Sequence, residues 1–217
     1  MKPLYYLAVD IGASSGRHML ATYNDGKMTL EEVYRFENGM DDDNGKKTWD
    51  TDRLFKEIIS GMIQCKKIGK VPVSMSIDTW AVDYVLLDDK DRRIGDAYGY
   101  RDSRTDNIEN EVYKIISEES LYKRTGIQKQ KFNTIYQLMA DKVKEPERLK
   151  NAKTFLMLPD YFQFLLTGLK ASEYTNATST QLVNPHTKQW DYELIDMLKL
   201  PRDIFGGLKA PGTVLGT

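Results

Sequence analysis

Three apolar runs near the start of the chain are separated by short turn-forming segments. Leu4–Val9 is apolar and aromatic, and Arg17–Tyr23 and Met28–Phe36 alternate between apolar and polar residues. Alternation with a period of two is typical of β-strands. The small residues of Asp10–Gly16 and the Asp-Gly pair in Asn24–Gly26 favour tight turns. The pattern therefore predicts three antiparallel strands joined by two hairpin turns.

The period of the pattern changes near residue 50. Asp50 or Thr51 can cap a helix, and the apolar residues that follow recur at helical spacing until near Gly69. Two further strands are predicted at Val71–Ile77 and Val82–Leu87. The rest of the chain is mainly helical, with helices predicted near Ile108–Ser117, Ile135–Lys144, Pro159–Thr167 and Tyr192–Leu198.

The order of these elements indicates an α/β protein. Two hairpins followed by a helix, with carboxylates at strand ends, are how a ribonuclease-H-like domain of the actin and hexokinase type begins. We therefore expect a mixed sheet flanked by helices. The segment Glu37–Lys47 contains three consecutive aspartates and an Asn-Gly pair, and is expected to be an exposed loop. No linker is recognisable, so a single domain is expected over residues 1–217.

Charge and cysteine content exclude several classes of protein. The 31 Lys and Arg residues against 32 Asp and Glu residues give a net charge of -1. No global positive field is therefore available to hold nucleic acid or an anionic membrane, and neither partner is expected. The single cysteine, Cys65, cannot form an intramolecular disulfide. Together with the absence of a secretory or membrane-spanning segment, this predicts a cytoplasmic protein.

The turn over Asp10–Arg17 is the strongest candidate for a binding site. Gly12 and Gly16 allow a tight bend and close approach, so that backbone N–H groups and serine hydroxyls can point at a phosphate. Asp10, at the end of a strand, can hold a hydrated Mg²⁺ against the same phosphates. A strand follows the turn where a P-loop would have a helix. The alternative is an ordinary Gly- and Ser-containing hairpin turn.

A second cluster of polar residues lies at the junction of the next two strands. Asp78 and Asp83 are close in sequence and flank Trp80. A sugar or polyol needs acceptors for its hydroxyls and an aromatic wall for its C–H face, which Asp83 and Trp80 can supply. The alternative is a capped β-turn with a half-buried tryptophan.

Several longer motifs resemble the FGGY family of carbohydrate kinases. They are AVDIGASSGR, SIDTWAVDYVLLD, YRDSRTD, GIQKQKFNTIYQL, LPDYFQFLLTG and EYTNATSTQLVNP, in this order over nearly the whole chain. The resemblance implies ATP-dependent phosphorylation of a sugar, with the 1-hydroxyl of L-rhamnulose as the expected acceptor and Mg²⁺ as the metal. It implies ATP contacts at Asp10, Ala13, Ser14, Ser15, Gly16 and Arg17, with the metal at Asp10. It implies substrate contacts at Trp80, Ala81, Asp83 and Phe132.

The chain departs from the family pattern at two points. Ala81 stands where a substrate-contacting glycine is usual, which leaves open fuculose, xylulose or ribulose as the sugar. The proton-accepting Asp of the family follows a PGTVLG-like stretch, which here ends at Thr217. We therefore expect this chain to be the N-terminal part of a kinase, to lack the second domain and the catalytic base, and to show no turnover alone. A two-metal nuclease using Asp10, Asp78 and Asp83, or a non-catalytic sensing module, is the remaining alternative.

Overall fold

A computed structural model of the chain describes residues 2–216. The strands are β1 (Leu4–Ile11), β2 (Ser15–Asn24), β3 (Lys27–Glu37), β4 (Asp41–Asp43), β5 (Lys46–Trp49), β6 (Ser74–Thr79), β7 (Tyr84–Leu87), β8 (Ala97–Tyr98), β9 (Thr154–Met157), β10 (Ser172–Glu173), β11 (Val183–Asn184), β12 (Gln189–Trp190) and β13 (Leu208–Lys209). The helices are α1 (Thr51–Lys67), α2 (Glu109–Tyr113), α3 (Glu118–Thr125), α4 (Thr134–Lys144), α5 (Pro146–Asn151), α6 (Leu158–Thr167), α7 (Tyr174–Thr178) and α8 (Tyr192–Met197).

The chain divides into two compact units. Unit 1 takes the residues up to Asp41 together with Trp49–Trp80, and unit 2 takes Asp42–Thr48 together with the residues from Ala81 onward. The single domain predicted over residues 1–217 stays a prediction, and its end residues, Met1 and Thr217, lie outside the described part.

Unit 1 is a four-stranded mixed sheet with one long helix. Its strand order is β3-β2-β1-β6, with β1–β2 and β2–β3 antiparallel and β1–β6 parallel. The three predicted strands, their two hairpins and the helix starting after Asp50 are therefore confirmed. Asp50 caps α1 by accepting a hydrogen bond from Arg53 N at 2.8 Å, which satisfies one of the free N–H groups of the first turn.

The helix and the sheet of unit 1 pack around a buried histidine. The His18 ring lies against Gly61 of α1 so closely that a Cβ added there would come within 2.2 Å of His18 Cδ2. His18 Nε2 lies 3.1 Å from Ile58 O, and burial lowers the pKa of the imidazole, which favours the neutral form. A glycine in the middle of a helix costs stability, and here the approach of the ring explains it.

Unit 2 is mainly helical and is built around one apolar core. The antiparallel pair β7–β9 runs through it, and α4 supplies a continuous buried stretch from Thr134 to Asp141. Tyr84, Leu138 and Phe155 belong to the core. Within residues 2–216, no helix combines the length and the apolar character that crossing a bilayer requires.

The expected loop over Glu37–Lys47 is partly wrong. It contains β4 and the start of β5, which join β8 in a three-stranded sheet. The turn between the two strands has φ of 54° at Asn44 and 88° at Gly45, the left-handed values typical of a tight hairpin. The three aspartates of β4 are all exposed. No apolar alternation therefore exists to indicate a strand, and backbone pairing alone forms it.

Candidate functional site

Asn38 fixes the loop between β1 and β2 by donating hydrogen bonds to two of the loop's carbonyl oxygens. Asn38 N donates to Ser14 O at 3.0 Å, and Asn38 Nδ2 donates to Gly12 O at 2.8 Å. Gly12 N closes the loop by donating to Ser15 O at 2.8 Å. Within residues 2–216, the N–H groups of Ala13 and Ser14 donate no hydrogen bond, and Ser14 is exposed. The loop therefore offers amides and a hydroxyl to an anion from solvent, as expected of a phosphate-binding turn.

Asn38 is a residue that the sequence pattern did not single out. Its Oδ1 accepts a hydrogen bond from Arg53 Nη2 at 3.0 Å, and Arg53 Nη1 donates to Glu37 O at 3.1 Å. The first turn of α1 therefore fixes the orientation of the Asn38 side chain, which in turn fixes the loop. An Asn at the end of a strand is too common a feature to have indicated this.

The structure explains the glycine at position 16 differently from the sequence, which predicted that Gly16 allows a tight bend. It lies inside β2, and a Cβ there would come within 2.1 Å of Phe36 Cζ. Neither Gly12 nor Gly16 has a positive φ. The absent side chain at Gly16 therefore makes room for the Phe36 ring, and the tight bend lies at Gly12–Ser14. The predicted contact of Gly16 with the nucleotide stays a prediction.

A row of charged residues crosses the sheet beside this loop. Asp10 lies opposite Arg17 in the β1–β2 pair and opposite Asp78 in the β1–β6 pair. Arg17 Nε donates to Asp10 Oδ2 at 2.9 Å. Burial and the neighbouring charge of Asp10 raise the pKa of Asp78. Two carboxylates thus lie on adjacent strands, where a cation would relieve their repulsion.

The carboxylates of Asp10 and Asp78 fit Mg²⁺ in the type and number of ligands that they supply. Mg²⁺ bound with a nucleotide takes one or two carboxylates, with water and phosphate oxygens completing the octahedron. Asp10 and Asp78 supply two such groups, whereas the sequence interpretation placed the metal at Asp10 only. Among residues 2–216 no group of three or more His, Cys, Asp or Glu side chains is placed to hold a metal by itself. Within the described residues, Asp10 and Asp78 are therefore two candidate ligands to which water and phosphate oxygens would be added.

Trp80 is half-buried by a second tryptophan. The ring centroids of Trp49 and Trp80 are 3.8 Å apart with an angle of 31° between the ring planes. Trp49 is itself buried, so the stack holds the Trp80 indole on one side. This matches the half-buried tryptophan weighed from sequence, and Trp49 is a partner that the sequence did not reveal. Stacking fixes the orientation of an aromatic wall.

In unit 2, the chain makes a strained three-residue turn at Ala81-Val82-Asp83. Asp83 N donates to Ala81 O at 2.9 Å, and Val82 has a φ of 69°. Of the two kinds of γ-turn, this is the rare and strained one, in which the central residue has a positive φ. A β-branched residue such as Val82 seldom adopts a positive φ. Val82 is buried, whereas Ala81 is exposed. Strain of this kind persists only where the surroundings enforce it, and it is concentrated at functional sites.

Two side chains of α4 enforce the turn. Thr134 Oγ1 donates to Val82 O at 2.7 Å, and Gln137 Nε2 lies 3.2 Å from the same oxygen. Gln137 Nε2 also lies 2.9 Å from Asp83 Oδ1 and 2.9 Å from Phe132 O. Gln137, which the sequence analysis did not single out, is therefore the common donor to the turn and to the segment that carries Phe132.

Asp83 is placed differently from the prediction. Its side chain is 0% exposed, and its Oδ2 accepts a hydrogen bond from Tyr100 N at 3.0 Å. Its predicted substrate contact stays a prediction, since the carboxylate is fully buried in this structure. Asp83 therefore holds the turn and the Tyr100 segment together. Phe132, by contrast, is only half-buried, with its ring edge-on to Tyr100 at 5.6 Å between centroids.

A buried ion pair between Arg104 and Asp141 holds the Gln137 side chain through its oxygen. Arg104 Nη2 donates to Gln137 Oε1 at 3.0 Å, and the same guanidinium pairs with Asp141. Tyr84 OH donates to the other Asp141 oxygen at 2.5 Å, and burial raises the pKa of Tyr84. Arg104, which lies in the YRDSRTD motif, is therefore a structural residue of unit 2.

Comparison with known proteins places the chain in a family. It matches the FGGY family of carbohydrate kinases, N-terminal domain, over residues 5–217. It is 55% identical over 212 residues to a rhamnulokinase of Halalkalibacterium halodurans, which covers 98% of the chain and 45% of that protein. A rhamnulokinase of Bacillus subtilis is 42% identical over 213 residues, which covers 98% of the chain and 43% of that protein. The chain thus spans about half the length of the curated relatives it matches.

Solved structures show the same fold. A gluconate kinase from Lactobacillus acidophilus matches with a TM-score of 0.86 at 21% identity, over 100% of the chain and 44% of that protein. A ligand-bound xylulose kinase from the same organism matches with a TM-score of 0.84 at 22% identity, over 98% of the chain and 43% of that protein. The predicted mixed sheet with flanking helices is confirmed. Since the family match covers nearly every residue, the chain belongs to the FGGY family of carbohydrate kinases.

Proposed function

We propose that this chain supplies the phosphate-binding and sugar-binding residues of an ATP-dependent kinase that phosphorylates the 1-hydroxyl of L-rhamnulose. The observation that carries the proposal is the open loop at Gly12–Ser14, whose carbonyls are engaged by Asn38 while the N–H groups of Ala13 and Ser14 are left to an anion. The family match supports it and favours it over the nuclease and sensing-module alternatives.

In unit 1, the terminal phosphates of ATP would lie against the loop. The amides of Ala13 and Ser14 and the hydroxyls of Ser14 and Ser15 would donate to phosphate oxygens, and Arg17 adds a positive charge beside them. Asp10 and Asp78 would hold Mg²⁺, which neutralises phosphate charge when bound. Donors fixed before the ligand arrives need no reorganisation, which is how such groups stabilise developing charge.

In unit 2, the γ-turn presents Ala81 to solvent, and Phe132 offers a partly open ring. We propose that these two residues contact the sugar and that Asp83 holds the turn; the sugar contact predicted at Trp80, in unit 1, stays a prediction. The support for L-rhamnulose is the name of relatives at 42–55% identity. Because Ala81 adds a methyl group where a glycine is usual, fuculose, xylulose and ribulose remain the sugars to compare.

No residue of the described part is assigned as the catalytic base. Phosphoryl transfer needs a carboxylate that orients the sugar hydroxyl and accepts its proton. We propose that this group belongs to the part of the relatives' length that the chain does not span. The chain alone should therefore bind ATP without turning over, and ordinary turnover with L-rhamnulose in a coupled assay would contradict this.

Removing one amide donor tests the phosphate loop directly. Proline has no N–H, so Ala13→Pro deletes a proposed phosphate contact, while Ala13→Ser keeps it. We expect calorimetric binding of ATP with Mg²⁺ to weaken about tenfold or more in Ala13→Pro and to persist in Ala13→Ser. Circular dichroism checks that both variants fold. Equal affinity of a folded Ala13→Pro and the parent would remove the basis of the proposal.

A further inference from the structure

The first part of β3 is an exposed strand at the edge of the unit 1 sheet. In the strand order β3-β2-β1-β6, β3 stands at one end, so within the sheet it pairs with β2 only. The side chains of Lys27–Leu30 are all exposed, on both faces of the sheet. Two of them are large and apolar, since Met28 is 61% and Leu30 is 66% exposed. An edge strand with open backbone groups and apolar side chains is a ready template for pairing with another chain.

The hairpin turn before β3 shows which backbone groups face the open edge. The two central residues of the Asn24–Lys27 turn have φ of 48° and 77°, as in a two-residue type I′ turn. The end residues of this turn are therefore the hydrogen-bonded pair that closes the hairpin. Because bonded and non-bonded pairs alternate along an antiparallel ladder, the N–H and C=O groups of Met28 and Leu30 point away from β2. Among residues 2–216, no backbone group from outside the sheet bonds to either of them.

The sequence of this edge is complementary to itself. The five residues from Lys27 onward read Lys-Met-Thr-Leu-Glu. When two copies run antiparallel about a two-fold axis at Thr29, Lys27 lies opposite Glu31 and Met28 lies opposite Leu30. Opposite charges and apolar pairs stabilise neighbouring strands, whereas like charges placed directly opposite destabilise them. In this register every charged or apolar side chain meets a favourable partner, and none meets a like charge.

We propose that two copies of this chain pair antiparallel through β3 about an axis at Thr29, which joins their four-stranded sheets into one continuous sheet. Met28 N–H donates to the C=O of Leu30 in the second copy, and Leu30 N–H donates to the C=O of Met28. Glu31, which already pairs with Lys70 of its own chain, accepts the second lysine as well. The contact is isologous, so it closes at two copies. Its small area predicts a weak, concentration-dependent dimer.

Pairing at this edge leaves the proposed phosphate loop open. Ser15, at the end of that loop, pairs with Glu37 of β3. Glu37 lies eight residues from Thr29, or about 26 Å at about 3.3 Å for each residue of a strand. The axis is therefore far from the loop in both copies, and the inference does not rest on the proposed function.

Sedimentation velocity of the 217-residue chain, from about 1 µM to about 500 µM, tests the association. We expect the mean mass to rise with concentration from that of a monomer toward that of a dimer. Thr29→Lys places two like charges against each other at the axis, so the dissociation constant should rise at least about tenfold. Thr187→Lys makes the same change at an exposed threonine of unit 2 and should leave it unaltered.

A cysteine at the axis tests the register. Residues directly opposite in a non-hydrogen-bonded pair have Cα atoms about 4.5 Å apart, a separation that a disulfide can bridge. Thr29→Cys treated with diamide should therefore give a disulfide-linked dimer within minutes. Thr187→Cys, which lies away from the axis, should give little. Cys65 is buried and does not compete.

Three outcomes overturn the proposal. They are a monomer at every concentration, a dimer that Thr29→Lys does not weaken, and a folded Thr29→Cys that forms no more linked dimer than Thr187→Cys. A monomer would also be the result if the edge is reserved for the part of the relatives' length that the chain does not span, and it counts against pairing between copies. Circular dichroism checks folding. Should Thr29→Lys fail to fold, the comparison of the two cysteine variants decides.

Discussion

Gln137 makes the bonds on which the strained turn of unit 2 depends, so its replacement gives the sharpest test of the structure. Gln137→Met keeps the length of a side chain that is 1% exposed and deletes its amide. Asp83 Oδ1 and Phe132 O lose a donor, and Arg104 Nη2 loses an acceptor. Val82 O keeps a second donor. At about 0.5 to 1.5 kcal/mol for each of these three lost hydrogen bonds, we expect the free energy of unfolding to fall by about 2 to 4 kcal/mol.

Urea denaturation followed by circular dichroism measures this loss. Gln163→Met is the matched control, since Gln163 of α6 makes no side-chain hydrogen bond in the described part of the chain. It should cost less than about 0.5 kcal/mol. A loss below about 1 kcal/mol in Gln137→Met would mean that the turn does not need its donor, and the argument from strain would fail.

Gln137→Glu sharpens the same test. A carboxylate keeps an oxygen for Arg104 but turns its second oxygen toward the three acceptors that Nε2 now serves. Because it adds repulsion to the lost bonds, we expect Gln137→Glu to be less stable than Gln137→Met at neutral pH. The reverse order would show that Arg104, and not the turn, is the partner that matters.

Three further changes test other parts of the structure. Burial raises the pKa of Asp160 to about 7, above about 4 in the unfolded chain. The free energy of unfolding should therefore fall as pH rises from about 4 to about 7, and Asp160→Asn should flatten that slope in urea denaturation; an unchanged slope contradicts the assignment. Gly61→Ala should lower the free energy of unfolding by about 1 to 3 kcal/mol, because the new methyl group meets the His18 ring. Gly39→Ala, whose Cβ would have no atom within 4 Å, should lower it hardly at all. Equal melting temperatures of the two variants would contradict this. Arg17→Gln removes an exposed ion pair, so stability should change by under about 1 kcal/mol while calorimetry shows weaker ATP binding; unaltered binding would exclude Arg17 from the phosphate site.

The elements of unit 1 were predictable because their signals are local. Strands β1, β2 and β3 are joined by short turns, so period-two alternation and the Asp-Gly signal place them without knowledge of distant residues. In the helical region, α3 escaped prediction because only Leu121 and Thr125 of its eight residues are buried. Helix α4 was found because its buried stretch is long.

The candidate site was predictable in part for the same reason. The order of strand, turn and strand around Asp10 places a small-residue loop and a carboxylate next to each other in sequence. Asn38, which holds that loop, lies 26 residues beyond Gly12, and Gln137, which holds Val82 and Asp83, lies 54 residues beyond Asp83. No periodicity joins residues so far apart.

By itself, the sequence determined the kind of elements, the position of the turn at Asp10–Arg17 and the likeness to a kinase family. Only the tertiary structure decided that Asp83 is buried as a support, that Gly16 makes room for Phe36, and that Asp78 lies beside Asp10 in the sheet. The physical reason is that burial, charge coupling and hydrogen-bond partnership depend on distance in space, whereas a sequence pattern records only which residues are neighbours along the chain.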